Sequence, residues 1–476
     1  MSRQVSEPVA VRVSCPPARR FQASLAVACV LGLAVTARDV RGQFGGMGGM
    51  GGFGFGGPVG GISIDADGVV RAVDEKVLDQ SVRALRAVVA TTKLPARAEE
   101  SRTISLAGIV AAVKDAADGR GPVPVDVGLL GGLERITHVF AVPEEHDILL
   151  TGPADVPAVD AAGTVVGKHS GRPLLRLEDL VVALRAFDQS RAGGIVCSID
   201  PTPHGIARLQ DFLARQKTMS RDPAEVFRGM EQALGQQTVT VGGVPGDSRF
   251  ALVLVSADYM LKRIGMGYQP SGIKELPSYL TLVKPGGRAS SLPRFWLEAE
   301  YEPLARDADE LTWQIRGRRM KCLSASDQAA ADGIRRGIGP RDPSLDAWCQ
   351  AMTEHYDRLA VKHPVFAELL NCVDLAVVAT VIRGRQLDVR AGLDLGPLMD
   401  DARLALPKYE VAKSVPTVAN GLKKGTNWVL SASGGVLLQP WQFAGNSRQV
   451  DGLDAPRSAA TAGRPAGPPA AACWWD

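Results

Sequence analysis

The sequence predicts a mixed α/β protein of the α+β type, built as two lobes with mixed sheets and hairpins and with disordered extensions at both ends. Helix and strand patterns alternate irregularly along the chain, and hairpin signals lie among them, which is untypical of a doubly wound sheet. Hydrophobic residues make up 45% and charged residues 22% of the 476 residues, as in a globular protein. Glycine- or proline-rich stretches flank this body on both sides.

Residues 1–37 have the pattern of an export signal. Arginines precede the apolar stretch 23–35, and small residues follow it, as a cut after Ala37 requires. A cut after Gly42 is the alternative. Because the apolar stretch is shorter than the roughly 20 residues that span a bilayer, we expect cleavage and an exported, periplasmic or extracellular protein. A lipid- or helix-anchored envelope protein is the other interpretation.

Residues 38–61 and 446–476 lack the side chains of a folded core. The first segment is rich in glycine and cannot bury enough surface to offset the entropy of ordering, which predicts a flexible tether. A segment that contacts a surface or partner is the alternative to a plain spacer. Alanine, proline and glycine dominate the second segment, which predicts a disordered tail.

The first predicted lobe covers residues 62–220. Apolar residues with a helical period alternate there with short β-branched runs and turn residues. Ser105 and Thr202 precede two of the helices as N-caps, and Pro203 takes the first helical position. The predicted elements are a hairpin at 62–70, helices at 73–89 and 106–113, strands around 138–140 and 148–150, a hairpin at 159–166, a helix at 177–187, a strand at 194–199 and a helix at 206–213.

The second predicted lobe covers residues 221–445. Asp247 or Ser248 caps a helix there, and Pro364 separates two consecutive helices. Three polar residues recur every three positions in the most apolar helix, which indicates a core helix and not a membrane span. The predicted elements are helices at 223–234 and 250–264, a strand at 238–244, a strand at 295–302, a hairpin at 311–323, helices at 344–361 and 365–382, and a closing hairpin at 428–443 that turns at Gly434-Gly435.

Several stretches together resemble a bacterial family classed as domain of unknown function 1598, found mainly in exported planctomycete proteins. They are 171–180 (GRPxLxLxDL), 198–202 (SIDPT), 247–250 (DSRF), 257–264 (ADYxxKRI), 276–279 (LPSY), 301–304 (YEPL) and 371–378 (NCxDLAVV). The resemblance spans roughly residues 105–443. It implies export, and it implies no activity and no catalytic residue.

Charge and motifs exclude several classes of function. The chain has 54 Lys+Arg against 51 Asp+Glu, a net charge of +3 that lies entirely in residues 1–37, so nothing favours nucleic-acid binding. The stretch 163–170 (GTVVGKHS) is one residue short of a phosphate loop and follows a hairpin turn. Motifs of serine hydrolases, zinc proteases and Cys-x-x-Cys sites do not occur in the sequence. We therefore predict no cofactor and no metal.

Asp200 and His204 form the first candidate acid–base pair. They lie where a strand ends and a helix begins, an edge at which α/β proteins often place functional groups. The alternative, which we favour, is that the prolines only end the strand and begin the helix, with Thr202 as the helix cap.

Glu298 and Glu300 are the second candidate pair. Two residues apart on a strand, they project from one face, as paired carboxylates for glycosidase-type chemistry would. A solvated strand face predicts the same alternation and is favoured. Trp296 shares that face and is a candidate binding residue, because an exposed aromatic side chain can stack on a ligand.

The remaining charged and sulfur-containing side chains are interpreted structurally. Arg249, Asp258, Lys262 and Arg263 share one helix and fit its solvated face. Of the four cysteines in the body, Cys322 and Cys372 are predicted as a disulfide, with four buried free thiols as the alternative.

The sequence thus favours an exported binding or assembly protein of the cell envelope or periplasm, with an envelope component or protein as partner and no integral membrane segment after signal removal. The alternative is a secreted hydrolase that uses Asp200, His204, Glu298 and Glu300. Convergence of these residues in one pocket would favour the hydrolase.

Overall fold

The computed structural model describes residues 62–64, 70–72, 75–215, 223–284, 293–325, 328–330, 333–335, 341–417 and 433–462. The predicted export signal and tether and residues 463–476 lie outside the described residues.

Helices and strands alternate irregularly along residues 62–242. The predicted caps are present, since Ser105 Oγ accepts a hydrogen bond from the Gly108 amide and Thr202 Oγ1 accepts one from the Gly205 amide. The elements are β1 (Ile62–Ile64), β2 (Val70–Ala72), α1 (Glu75–Val89), β3 (Glu99–Ser105), α2 (Leu106–Ala117), α3 (Val125–Gly128), β4 (His138–Val142), β5 (Asp147–Ala154), β6 (Pro157–Val159), β7 (Val165–Gly167), α4 (Leu177–Arg185), α5 (Phe187–Gly193), β8 (Ile195–Pro201), α6 (Pro203–Arg215), α7 (Pro223–Leu234) and β9 (Gln236–Gly242).

The second half of the chain contains the two longest of the described helices. Ser248 caps one of them through the Ala251 amide, and Pro364 begins the other. The elements are α8 (Arg249–Gly265), α9 (Tyr279–Leu282), β10 (Arg294–Glu300), β11 (Ala305–Arg306), β12 (Thr312–Gln314), β13 (Arg319–Ala325), β14 (Gln328–Ala330), β15 (Gly333–Arg335), α10 (Pro343–Glu354), α11 (Tyr356–Lys362), α12 (Pro364–Gly384), α13 (Leu387–Ala391), α14 (Gly396–Met399), β16 (Ser414–Pro416), β17 (Ser433–Leu438), α15 (Pro440–Gly445), β18 (Arg448–Gln449) and α16 (Asp454–Thr461).

Two six-stranded mixed sheets organise the described residues. The first sheet has the order β13-β10-β17-β8-β9-β16, and only β10 and β17 in it run parallel. The second sheet has the order β18-β11-β12-β4-β5-β3, in which β11 and β18 are parallel. The predicted α+β class is confirmed. Both sheets combine strands from either side of residue 221, so the predicted lobe boundary passes through both of them.

The main hydrophobic core combines residues of the first sheet, of a layer of helices and of the second sheet. Helix α8 packs against β8, β9 and β17, while α12 packs against α8 and α4. Helix α12 is long and apolar enough to cross a membrane, with a mean hydropathy of 2.0, but 94% of its most apolar window is buried in the protein. This position agrees with the predicted core helix.

Two predicted hairpins are wrong. Residues 311–323 form β12 and β13, which belong to different sheets and do not pair with each other. Gly434 and Gly435 lie inside β17, and residues 428–432 lie outside the described residues. A Cβ atom on Gly434 would stand 1.8 Å from the Phe295 carbonyl oxygen. Glycine at this position therefore allows β17 and β10 to lie close together and does not form a turn.

The folded body also extends further towards the C-terminus than predicted. Strand β18 pairs with β11, and Ala460 of α16 is buried against Phe140, Val142 and Leu149. Apolar residues at suitable positions thus anchor residues 446–462, although the average composition of the segment resembles a disordered tail.

Candidate functional site

The two candidate glutamates lie on the face of the first sheet opposite α8, which we call the outer face. Lys321 Nζ on the neighbouring strand β13 lies 3.5 Å from Glu298 Oε1 and 3.9 Å from Glu300 Oε1. The two carboxylates share one ammonium group on a sheet surface. Glycosidase carboxylates instead face each other across a gap that holds the substrate.

Trp296 is half-buried on the same outer face. Its indole Nε1–H points to Glu298 Oε2 at 3.4 Å, and the Arg294 guanidinium lies 5.6 Å from the ring centroid. Two neighbouring side chains therefore hold the ring, and Arg294 covers one of its faces.

Asp200 faces the same side of the sheet, but two strands away. Trp296 is in register with Gly435 of β17, which is in register with Ser198 of β8, and Asp200 follows Ser198 by two residues. With strands about 4.8 Å apart, β8 and β10 are separated by about 9.5 Å. His204 is exposed on the first turn of α6, just after the Thr202 cap. The four candidate residues are thus spread over a sheet face and a helix.

A separate cleft lies between helix α4, the loop before α8 and the segment after α14. Its volume is about 440 Å³, within the range of small-molecule sites. None of the sequence candidates lines it. The lining residues are Val182, Arg185, Ala186, Gln189, Pro245, Asp247, Ser248, Asp401, Ala405, Leu406, Pro407 and Lys408.

Two ion pairs cross this cleft. Arg185 Nη1 binds the Asp401 carboxylate, and Lys408 Nζ lies 3.3 Å from Asp247 Oδ2. Arg185 also donates to the carbonyl oxygens of Leu398 and Leu404, at 2.8 and 2.9 Å, which fixes its guanidinium in the wall. Lys408 and Asp401 are largely exposed, so one partner of each pair is accessible to a ligand.

A buried ionic network backs the cleft. Arg249 directly follows the cleft residue Ser248 and binds the carboxylates of Asp179 and Glu368, with Glu178 at 3.9 Å. The carboxylates overcome the effect of burial and raise the pKa of Arg249 well above its usual value, while burial raises the pKa of both Glu178 and Glu368.

The same network also contacts the chain segment that follows α14, which lines the cleft. Tyr409 Oη donates to Glu178 Oε2 at 2.8 Å, and its amide donates to the Asp247 carbonyl oxygen at 2.8 Å. Because Tyr409 directly follows Lys408, both ends of the Asp247–Lys408 pair are attached to backbone that the buried network holds in place.

A second buried ion pair lies on the inner face of the first sheet. Lys262 Nζ donates to Asp258 Oδ2 at 2.7 Å and to the carbonyl oxygens of Ile199 and Gly434 at 3.0 and 3.2 Å. Burial raises the pKa of Asp258 to about 6, although Lys262 opposes this. The interpretation as a solvated helix face is therefore wrong for Arg249, Asp258 and Lys262, which are buried, while Arg263 is half-buried.

The stretch that resembles a phosphate loop is closed by its own contacts. Buried Asp155 accepts hydrogen bonds from the amides of His169 and Ser170, at 2.8 and 2.9 Å, and from His169 Nδ1 at 2.7 Å. The amides of Gly167, Lys168 and Gly171 donate to backbone carbonyl oxygens. The amides of residues 167–171 are thus all engaged within the protein, which argues against phosphate binding there.

The predicted Cys322–Cys372 disulfide is not formed. Cys197, Cys322, Cys349 and Cys372 are buried free thiols, and Cys349 is a neighbour of Cys322. Cys372 instead lies near the Arg249 network, on the buried helix α12. Among the residues that the structure describes, no group of His, Cys, Asp and Glu could hold a metal ion.

The comparisons with known proteins concern the segment from β8 to the start of α9. Residues 197–279 match the model of a family described as a protein of unknown function, DUF1598. The match confirms a domain of unknown function over this segment, and the resembling stretches at 171–180, 301–304 and 371–378 lie outside it. No curated protein and no solved structure matches the chain.

The matched segment holds Asp247 and Ser248 of the cleft, Arg249 of the network and the Asp258–Lys262 pair. The sequence pattern at Asp247 and Ser248 predicts only a helix cap and gives no sign of the cleft. The other charged residues that line the cleft, Arg185 and residues 401–408, are far from Asp247 and Ser248 in sequence, and no local pattern connects them.

Proposed function

We propose that the protein is an exported binding protein of the cell envelope or periplasm and that its cleft binds a polar ligand with charges of both signs, such as a peptide with free termini. The cleft with its two crossing ion pairs carries this proposal. It is concave, large enough for a small polar molecule and built on backbone that a buried ionic network fixes.

The balance of charge in the cleft suggests the ligand class. Arg185 and Lys408 face Asp401 and Asp247, so the cleft is neutral as a whole. A ligand with a net charge would leave one group in the cleft unpaired, which is costly once water is excluded. A zwitterion can place its carboxylate against the exposed Lys408 and its ammonium group against the exposed Asp401, so that the complex keeps a net charge of zero.

A set of matched peptides tests the ligand class. Binding of short peptides with free termini would be compared by calorimetry with binding of the same peptides acetylated at the N-terminus or amidated at the C-terminus. We expect the free peptides to bind at least tenfold more tightly than either blocked form. Equal affinity for all three forms, or binding of none of them, would contradict the proposal.

Substitutions link binding to the cleft. Lys408→Met should weaken binding of the free peptides without affecting the fold, since the side chain is 85% exposed and surface ion pairs contribute little to stability. Lys114→Met is a matched control, because Lys114 is exposed on α2 and does not line the cleft. An equal loss of affinity in both variants would show that the effect does not come from the cleft.

Export is tested separately. Mass spectrometry of the protein from the envelope fraction of its own cells should find an N-terminus at Arg38 or Gln43. An intact leader in the cytoplasmic fraction would contradict export and leave the binding result unaffected.

A further inference from the structure

Two buried cysteines from different elements lie side by side. Cys322 is on the inner face of β13, and Cys349 is on the face of α10 that packs against this strand. Burial raises the pKa of the Cys322 thiol well above its usual value, and the neighbouring Cys349 adds to this effect. The two positions are joined through residues 323–348, so only the fold brings them together.

The backbone around the two cysteines is fixed by one hydroxyl group. Thr353 Oγ1 accepts a hydrogen bond from the Cys322 amide at 2.8 Å and donates to the Cys349 carbonyl oxygen at 2.9 Å. Cys349 and Thr353 are one helical turn apart and share a face of α10. The side chain of Cys349 is therefore directed to the same part of β13 as Thr353, whose hydroxyl group contacts the backbone of Cys322.

We propose that Cys322 and Cys349 are the pair that forms a disulfide bond under oxidising conditions. That this bond forms in the cell rests on the proposed export, because disulfides persist mainly outside the cytosol. One S–S bond forms and two S–H bonds break. The two electrons and two protons pass to a disulfide of an oxidising thiol–disulfide partner, which becomes a dithiol.

The other two described cysteines occupy different places. Cys197 lies on β8 near Asp258 and Lys262, and Cys372 lies near Arg249 and Asp179. A bond between Cys322 and Cys349 would join β13 to α10 and close a loop around β14 and β15. Closing this loop restricts the unfolded chain and so stabilises the folded one.

The test follows oxidation during folding, because burial raises the pKa of both Cys322 and its competitors and buried thiols react slowly. The reduced, denatured full chain is refolded with reduced and oxidised glutathione, its remaining thiols are alkylated, and it is digested with trypsin without reduction. We expect peptides 322–335 and 342–358 to be recovered as one linked species that reduction separates. Recovery of both peptides alkylated, or of Cys322 linked elsewhere, would overturn the proposal.

Two variants and a comparison in the cell complete the test. The linked peptides should still be recovered from Cys372→Ser and should be absent from Cys349→Ser. If Cys349→Ser does not fold, the peptide map of the unsubstituted chain alone decides whether Cys322 and Cys349 pair. If the protein from cells retains its leader, the proposed export is wrong. The refolding experiment still tests whether Cys322 and Cys349 pair.

Discussion

The ammonium group of Lys262 and the carboxylate of Asp258 form an ion pair of 2.7 Å inside the protein, one turn apart on α8. The same ammonium donates to the carbonyl oxygens of Ile199 and Gly434, which lie on the adjacent strands β8 and β17. One side chain thus connects the helix to two strands of the first sheet, at the point where Gly434 has a φ of 123°.

Replacing Lys262 by methionine should strongly destabilise the protein. The substitution keeps a similar volume but leaves a buried carboxylate and two carbonyl oxygens without their donor, and we expect a cost of about 3–5 kcal/mol. Denaturant unfolding measures this cost. Arg263→Met is the matched control, because that guanidinium is half-buried over the Tyr259 ring and should contribute about 1 kcal/mol or less. Similar costs for both variants would contradict the role given to Lys262.

Asp258 should make stability depend on pH. Burial raises its pKa to about 6, against about 3.9 in the unfolded chain. A carboxyl group with a higher pKa in the folded state contributes stability that is complete below the unfolded pKa and is lost as the pH rises through about 6.

The variant Asp258→Asn has no such proton to release. Between about pH 4 and pH 6.5 the wild type should therefore lose about 2 kcal/mol of stability relative to the variant. Urea unfolding of both proteins at several pH values measures the difference. A constant difference over this range would mean that the carboxyl group does not titrate there.

Gly434 should not tolerate a side chain. Its positive φ is unfavourable for other residues, and a Cβ atom would stand 1.8 Å from the Phe295 carbonyl oxygen in the paired strand. We expect Gly434→Ala to separate β17 from β10 locally. The backbone strain and the lost strand pairing should together lower the free energy of unfolding by about 3 kcal/mol or more. Gly193→Ala is the control, since nothing lies within 4 Å of its Cβ position, and it should be close to neutral in thermal unfolding.

The alternation of β10 illustrates what the sequence can predict. Phe295, Leu297 and Ala299 are buried and Trp296 and Glu298 lie on the outer face, as the period of two requires. Local patterns of this kind depend on neighbours along the chain, and so do the helix caps at Ser105 and Thr202. They need no knowledge of the tertiary structure.

Buried charges depend on partners that are distant in sequence. Glu368 on α12 and Arg249 on α8 bind each other, but each alone fits the polar side of an amphipathic helix. The cleft could not be predicted for the same reason, because Arg185 and Lys408 come to line the same cleft only after the chain folds. At Gly434-Gly435 a local pattern is misleading instead. The dipeptide is typical of turns, but here it lies inside β17 and allows two strands to lie close together.

The loop at residues 167–172 should depend on Asp155 and much less on His169. Burial alone would raise the pKa of Asp155, but the hydrogen bonds from His169, Ser170 and Val156 lower it to about 2. Asp155→Ala removes the acceptor of these bonds and should cost about 3 kcal/mol. His169→Ala removes only a half-exposed imidazole and should cost about 1 kcal/mol or less.

Hydrogen exchange shows whether these bonds hold the loop. The amides of His169 and Ser170 should be protected in the wild type and in His169→Ala, and should exchange rapidly in Asp155→Ala. Because the folded pKa of Asp155 lies below the unfolded one, its contribution is present above about pH 4 and is lost as the pH falls through about 2. Protection that survives Asp155→Ala would show that the turn bonds between Gly167, Gly171 and Arg172 are sufficient to order the loop.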